Sequence, residues 1–172
     1  MWIEVDAIVE AERQFEAAGR ALAVAQHFEA SCKDLLRWMH VAKAAEDGRA
    51  KTLQEFRSCA DELVGILLGP AIKKFGLDHA STNEYLETLV RAKDARNYIA
   101  HECVAACSFH SRLSRSAPNL DAKFASAVKA LAEGDNLVSS WGLMFHEQQS
   151  PSKGLMQLYP EQITQWVMAP LA

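Results

Sequence analysis

From Val5 to Glu46, apolar and small residues recur on alternating four- and three-residue steps. Ile8, Ala11, Phe15, Ala18, Leu22, Ala25, Cys32, Leu36 and Met39 make up this seam. A strand has a period of two and cannot carry such a pattern, so the chain opens with one long helix. Its many Ala positions allow a neighbouring helix to approach closely. Asp47-Gly48 ends it. One member of the seam is polar, Glu29, and a carboxylate there needs a partner.

The rest of the chain reads as further helix. A second helix is predicted from about Lys51 to Leu68, with Leu53, Phe56, Ala60, Leu63, Val64 and Leu67 inward and Gly69-Pro70 stopping or kinking it. A short piece, Ala71 to Phe75, leads to Gly76. A third helix opens on a capping box, Ser81 to Glu84, and runs to about Ser108. A polar loop follows, from His110 to Asn119. The fourth helix spans roughly Leu120 to His146, with Gly134-Asp135-Asn136 as a weak point. A linker, Ser150 to Gly154, precedes a short helix begun by Pro160.

Gly and Pro are sparse, at 8 and 5 of 172 residues, and no strand alternation appears. The expected fold is therefore all-α. It is an up-and-down four-helix bundle with a short C-terminal helix, in one domain over 1–172 with 150–172 as an extension. The longest apolar stretch, Leu63 to Ile72, is too short to span a bilayer, so no membrane partner is expected. The N-terminal residues lack a signal-peptide pattern, which points to a cytoplasmic protein. Cys32, Cys59, Cys103 and Cys107 form no CxxC pair and read as reduced, buried thiols. His101, Cys103, Cys107 and His110 bunch together but do not project from one point of a helix. Neither metal nor cofactor is expected.

The formal net charge of −4 is unevenly spread. Residues 91–130 carry seven bases against three acids, a local +4, which leaves −8 on the remainder. A basic segment on an acidic body suits local phosphate contact rather than a nucleic-acid-coating surface. The alternative is a solvated charge run balanced within the fold.

The third helix concentrates the chemistry. On a wheel at about 100° per residue, its apolar arc includes Leu89, Ala92, Ile99 and Cys103. Arg96 falls near the middle of that arc with Lys93 close by. Asn97 and His101 sit at its edge, one turn apart. Tyr98 and Glu102 fall on the opposite arc. A buried guanidinium must meet a carboxylate, a phosphate or water. Two readings stay open: an internal ion pair with Glu29, or a cleft in which Arg96, Asn97 and His101 face a substrate.

The run Arg96-Asn97-Tyr98-Ile99-Ala100-His101 resembles the Arg-x4–6-His motif of the HEPN superfamily, small all-helical domains that include RNA-cleaving toxins and defence nucleases. Asn97 matches the polar residue that usually follows the Arg. The resemblance covers the motif and the four-helix layout. A second stretch, Arg20 to His27, meets the bare spacing and reads as coincidence. Toxins of this family paired with a nucleotidyltransferase antitoxin often carry a Tyr two residues after the His. Cys103 stands there, so control by adenylylation is not expected.

The resemblance implies a metal-independent endoribonuclease, a toxin or defence component acting on RNA as a homodimer, with an antitoxin or other regulatory protein as partner. RNA supplies its own nucleophile, the 2′-OH. Imidazole changes charge near neutrality, so His101 can move the proton as base or acid. Arg96 can grip the phosphate and stabilise charge on the phosphorane. Asn97 can orient His101 or bond the phosphate. Lys93, Arg112 and Arg115 are candidate RNA contacts, and Glu29 is the supporting carboxylate. On an ideal helix Arg96 and His101 lie about 140° apart, so a two-fold pairing of motifs would complete one site. The competing readings are a non-catalytic HEPN-like dimeric adaptor and a structural bundle whose basic segment contacts an acidic protein.

Overall fold

The structure, a computed structural model, describes residues 5–78, 83–103 and 120–169. Every element within them is helical. α1 spans Val5–Glu46, α2 Leu53–Asp61, α3 Leu68–Asp78 and α4 Asn83–Asn97. α4 continues as a π-helical turn, Tyr98–Cys103. α5 spans Leu120–Glu147 and α6 Lys153–Met168. The all-α expectation holds, but with six helices among the described residues rather than four and a short one.

α1 is 42 residues long, which at 1.5 Å per residue is about 63 Å. It forms the spine, packing against α2, α3, α5, α6 and the π-helical turn after α4. The main apolar cluster joins α1, α3, α4, α5 and α6, with Phe28, Leu36, Phe75, Leu89, Ile99, Leu131, Val128, Val138 and Val167 fully buried, and a smaller one, Ala44, Ala50 and Cys59, seats α2 on the end of α1. Of the expected α1 seam, Ala18, Ala25, Cys32 and Leu36 are buried, and the side chains of Ile8 and Ala11 lie outside the described ones. Phe15 is exposed instead. A seam on 3.5-residue steps drifts by about 20° per heptad on a straight helix, and Phe15 is more than two heptads from Cys32. Ala21, Val24, Phe28 and Leu35 take up the inner positions.

The predicted second helix is two helices. α2 begins with a capping box at Thr52, whose Oγ1 accepts from Glu55 N at 3.3 Å while Glu55 Oε2 accepts from Thr52 N at 2.8 Å. It stops at Asp61, and Gly65 at φ 78° reverses the chain. Gly48, at φ 69°, does the same after α1. Both angles favour glycine. Gly69 and Pro70 therefore sit in the first turn of α3, where a missing N–H costs nothing, instead of ending a helix. With the break at 62–67, Val64 and Leu67 lie in the connection and are exposed, as is Leu53 in the first turn of α2. Ser81, the predicted cap of α4, lies outside the described residues, as do positions 104–119 of the predicted helix end and polar loop.

α6 starts at Lys153, capped by Ser152 Oγ accepting from Leu155 N at 3.2 Å. Pro160 sits inside this helix, not at its start. Its ring removes the N–H that would bond Met156 O. Asn136 Nδ2 of α5 donates to that oxygen at 2.7 Å, so the gap in α6 becomes a link between helices.

Gly134 was expected to weaken α5, yet the helix runs through it. A Cβ there would collide with Ala92 Cβ of α4 and reach 3.2 Å from Phe28 Cε2 of α1. Glycine is what lets three helices meet. On an exposed helix, Gly→Ala would gain about 1 kcal/mol. Here overpacking of about 1–3 kcal/mol opposes that gain. Gly134→Ala is expected to lower the thermal midpoint, measured by circular dichroism. A rise would contradict the close crossing.

Trp38 and Trp166 are half-exposed, while Trp141 packs against the core. Trp38 meets His146 edge-on, and the Arg20 guanidinium covers Trp166 at 5.8 Å. Both rings lie at helix–helix rims, where an aromatic keeps one face in solvent.

Candidate functional site

The Arg96 neighbourhood is built by α1 and α4. Arg96 Nη2 lies 2.5 Å from Glu29 Oε2. Glu29 Oε1 also accepts from Lys33 Nζ at 2.6 Å, one turn along α1. Arg96 Nη1 donates to Asn97 Oδ1 at 3.1 Å. The pairing read from the two helical wheels is present. It is not sealed in a core: the Arg96 and Glu29 side chains keep 27 % and 20 % of their exposure. Arg96 lies at a half-buried margin between two helices; Asn97, which it contacts, and His101, on the following turn, are both exposed.

Burial pushes the Glu29 carboxyl upward, but the Lys33 hydrogen bond and the Arg96 and Lys33 charges outweigh it and hold its pKa below the usual value. The stability that follows from this depressed pKa is fully present above the ordinary carboxylate range. It is lost as pH falls through the lowered value. Glu29→Gln is therefore expected to flatten the acid limb of stability against pH, measured by denaturant titration between pH 7 and 3. An unchanged acid limb would show that the pairing contributes nothing.

The turn carrying His101 is π-helical. Such turns bond residue i to i+5, are rare, and recur at functional sites. More residues then complete one turn than in an α-helix. The ideal-helix offset of about 140° between Arg96 and His101 therefore shrinks, and His101 swings towards the Arg96 side. Tyr98, which the wheel placed outward, is buried, and Lys123 of α5 stands 4.1 Å over its ring. Lys93 is half-buried with Nζ 2.9 Å from Asp94 Oδ1. Arg112, Arg115, Cys107 and His110 lie outside the described residues. Cys32, Cys59 and Cys103 are buried. Among the described residues, no three His, Cys, Asp or Glu side chains converge as metal ligands.

The coincidental match, Arg20 and His27, has other work. Arg20 Nη1 donates to Trp166 O and Ala169 O, each at 2.8 Å, closing the C-terminus of α6. His27 Nδ1 lies 2.8 Å from Asp135 Oδ1. Asp135 is wholly buried, and its other oxygen accepts from the Tyr159 hydroxyl at 2.5 Å. One carboxylate thus joins α1, α5 and α6. Burial, then the Asp135 carboxylate, pushes the Tyr159 hydroxyl well above its ordinary value, so it remains a donor. Burial also raises the Cys32 thiol, with Asp135 and Glu29 adding to it, so Cys32 is no thiolate nucleophile.

This network escaped the sequence reading. Asp135 occupies the same buried stripe of α5 as Val128, Leu131 and Val138, which is the signal that singled out Arg96. Lys33 was also missed, though it lies one turn from Glu29. Comparison of the chain with family models, curated proteins and solved structures returned no match.

Proposed function

We propose that the chain is an HEPN-like, metal-independent endoribonuclease whose site is Arg96, Asn97 and His101. One observation carries this reading: Arg96 is held at an open margin between α1 and α4, where it donates to the exposed Asn97 at the end of α4, and the exposed His101 follows on the π-helical turn. A guanidinium needed only for stability gains little from such a place, whereas a phosphate arriving from solvent can reach it.

In the proposed reaction, His101 takes the proton from the 2′-OH. The 2′-oxygen bonds to phosphorus, and Arg96 stabilises the charge of the phosphorane. The bond to the 5′-oxygen then breaks, and that oxygen takes a proton from water or from His101 of a second copy. The products are a 2′,3′-cyclic phosphate and a 5′-hydroxyl. Asn97 keeps Arg96 aimed through its Oδ1 contact. Lys93 would add positive charge along the RNA path. A homodimer, a toxin or defence role and a regulatory protein partner follow from the resemblance to the family.

A second reading has its own support. Glu29 and Asn97 already accept from Arg96, as they would in a non-catalytic adaptor. Incubating wild-type protein with RNA in EDTA separates the two. The nuclease reading expects cleavage that Arg96→Ala and His101→Ala each abolish, with helical content unchanged. Uncut RNA would leave the adaptor reading, and normal cutting by both variants would take Arg96 and His101 out of the chemistry.

A further inference from the structure

Glu29 holds two cations at once. Its Oε2 meets Arg96 of α4 at 2.5 Å, and its Oε1 meets Lys33 of α1 at 2.6 Å. Each cation therefore has its own carboxylate oxygen. That is the arrangement two non-bridging oxygens of a phosphate would make, with one guanidinium nitrogen on one side and an ammonium on the other. The three side chains keep between 20 % and 27 % of their exposure, so an anion from solvent can reach them. Ion pairs that keep contact with solvent contribute modestly to stability, so Glu29 can be displaced without unfolding the helices. A polyanion gains charged hydrogen bonds and releases counterions in exchange.

We propose that Arg96 and Lys33 form one phosphodiester-binding site and that Glu29 is its built-in stand-in ligand, displaced when RNA phosphate binds. Lys33 is then a substrate-binding residue in its own right. Glu29 restrains the site, since every phosphate must compete with a carboxylate already in place. The ribonuclease reading supplies the identity of the phosphate carrier. The binding site itself does not require cleavage.

The test uses the full chain and a labelled 2′-O-methyl RNA oligonucleotide, which lacks the free 2′-OH and stays intact. Fluorescence anisotropy gives Kd over a series of salt concentrations. Glu29→Gln, close to isosteric, is expected to bind roughly tenfold tighter than wild type. Glu29→Asp, one methylene shorter, is expected to tighten binding in the same direction and serves if the Gln variant folds poorly. Lys33→Met should weaken binding by a similar factor and lower the salt slope by about one. Inorganic phosphate should compete with the oligonucleotide more weakly against Lys33→Met than against wild type. Unchanged or weaker binding by the folded Glu29 variants would overturn the proposal. So would unchanged binding by Lys33→Met, or no binding by any form. Tighter binding by Glu29→Gln in a protein that never cuts RNA would uphold the site and overturn only the nuclease reading.

Discussion

Asp135→Ala is expected to destabilise the fold by about 2–4 kcal/mol. The Asp135 carboxylate is wholly buried and accepts two hydrogen bonds, from Tyr159 at 2.5 Å and His27 at 2.8 Å. Hydrogen bonds to a charged group are worth about 1.5–3 kcal/mol each. Against that loss stands relief from burying a charge, which keeps the net below the sum of the two bonds. The half-buried Tyr159 hydroxyl is left without its acceptor, which adds to the cost. His27 is largely exposed and finds water instead. The ordering Asp135→Ala, then Tyr159→Phe, then His27→Ala follows from those burials. Denaturant unfolding of the three variants measures it. For a chain of this size the first should lower the thermal midpoint by roughly 4–16 °C. A neutral Asp135→Ala would mean that desolvation cancels both bonds and that the network does not fasten α6 to α1.

On the proposed mechanism, His101→Ala is expected to lower the rate of RNA cleavage by about 10²–10⁴-fold, the usual range for removing a proton-transfer group. Its side chain is exposed, so the loss should appear in the chemical step and not in the unfolding midpoint. Arg96→Lys is the sharper companion. It keeps the charge and can still reach Glu29, but gives up the planar fork. If Arg96 only fastens α4 to α1, the Lys variant keeps full activity. If it stabilises the phosphorane, the Lys variant binds RNA with near-normal affinity and cuts slowly. Normal cleavage by His101→Ala would remove the imidazole from the mechanism.

What was legible in the sequence follows from how local the signal was. The bounds of α1 and α5 were readable because a long period needs no partner to be recognised. The break between α2 and α3 was not. Leu63 to Ile72 is apolar throughout, and Gly65 rather than Gly69-Pro70 turns the chain. Pro160 read as a helix start because its replacement bond comes from Asn136 on another helix. The Arg96–Glu29 pair could be read because each residue broke an apolar seam that periodicity had already defined. The same logic applies to Asp135, but Gly134-Asp135-Asn136 resembles a turn and hid it. All three serve helix junctions instead: Gly134 by close approach, Asp135 through His27 and Tyr159, Asn136 at Met156 O. The partners of Asp135 lie 108 and 24 positions away, beyond any local pattern.

The chemistry at the cut end of the RNA tests the central claim most directly. Wild-type protein is incubated with a defined RNA in EDTA, and the new 3′ termini are resolved by mass spectrometry. The proposed mechanism predicts a 2′,3′-cyclic phosphate, or the monophosphate from its later hydrolysis, opposite a 5′-hydroxyl. It also predicts no cleavage where a single 2′-deoxy residue replaces the attacking nucleotide. A free 3′-hydroxyl, or cutting that survives the 2′-deoxy substitution, would contradict it.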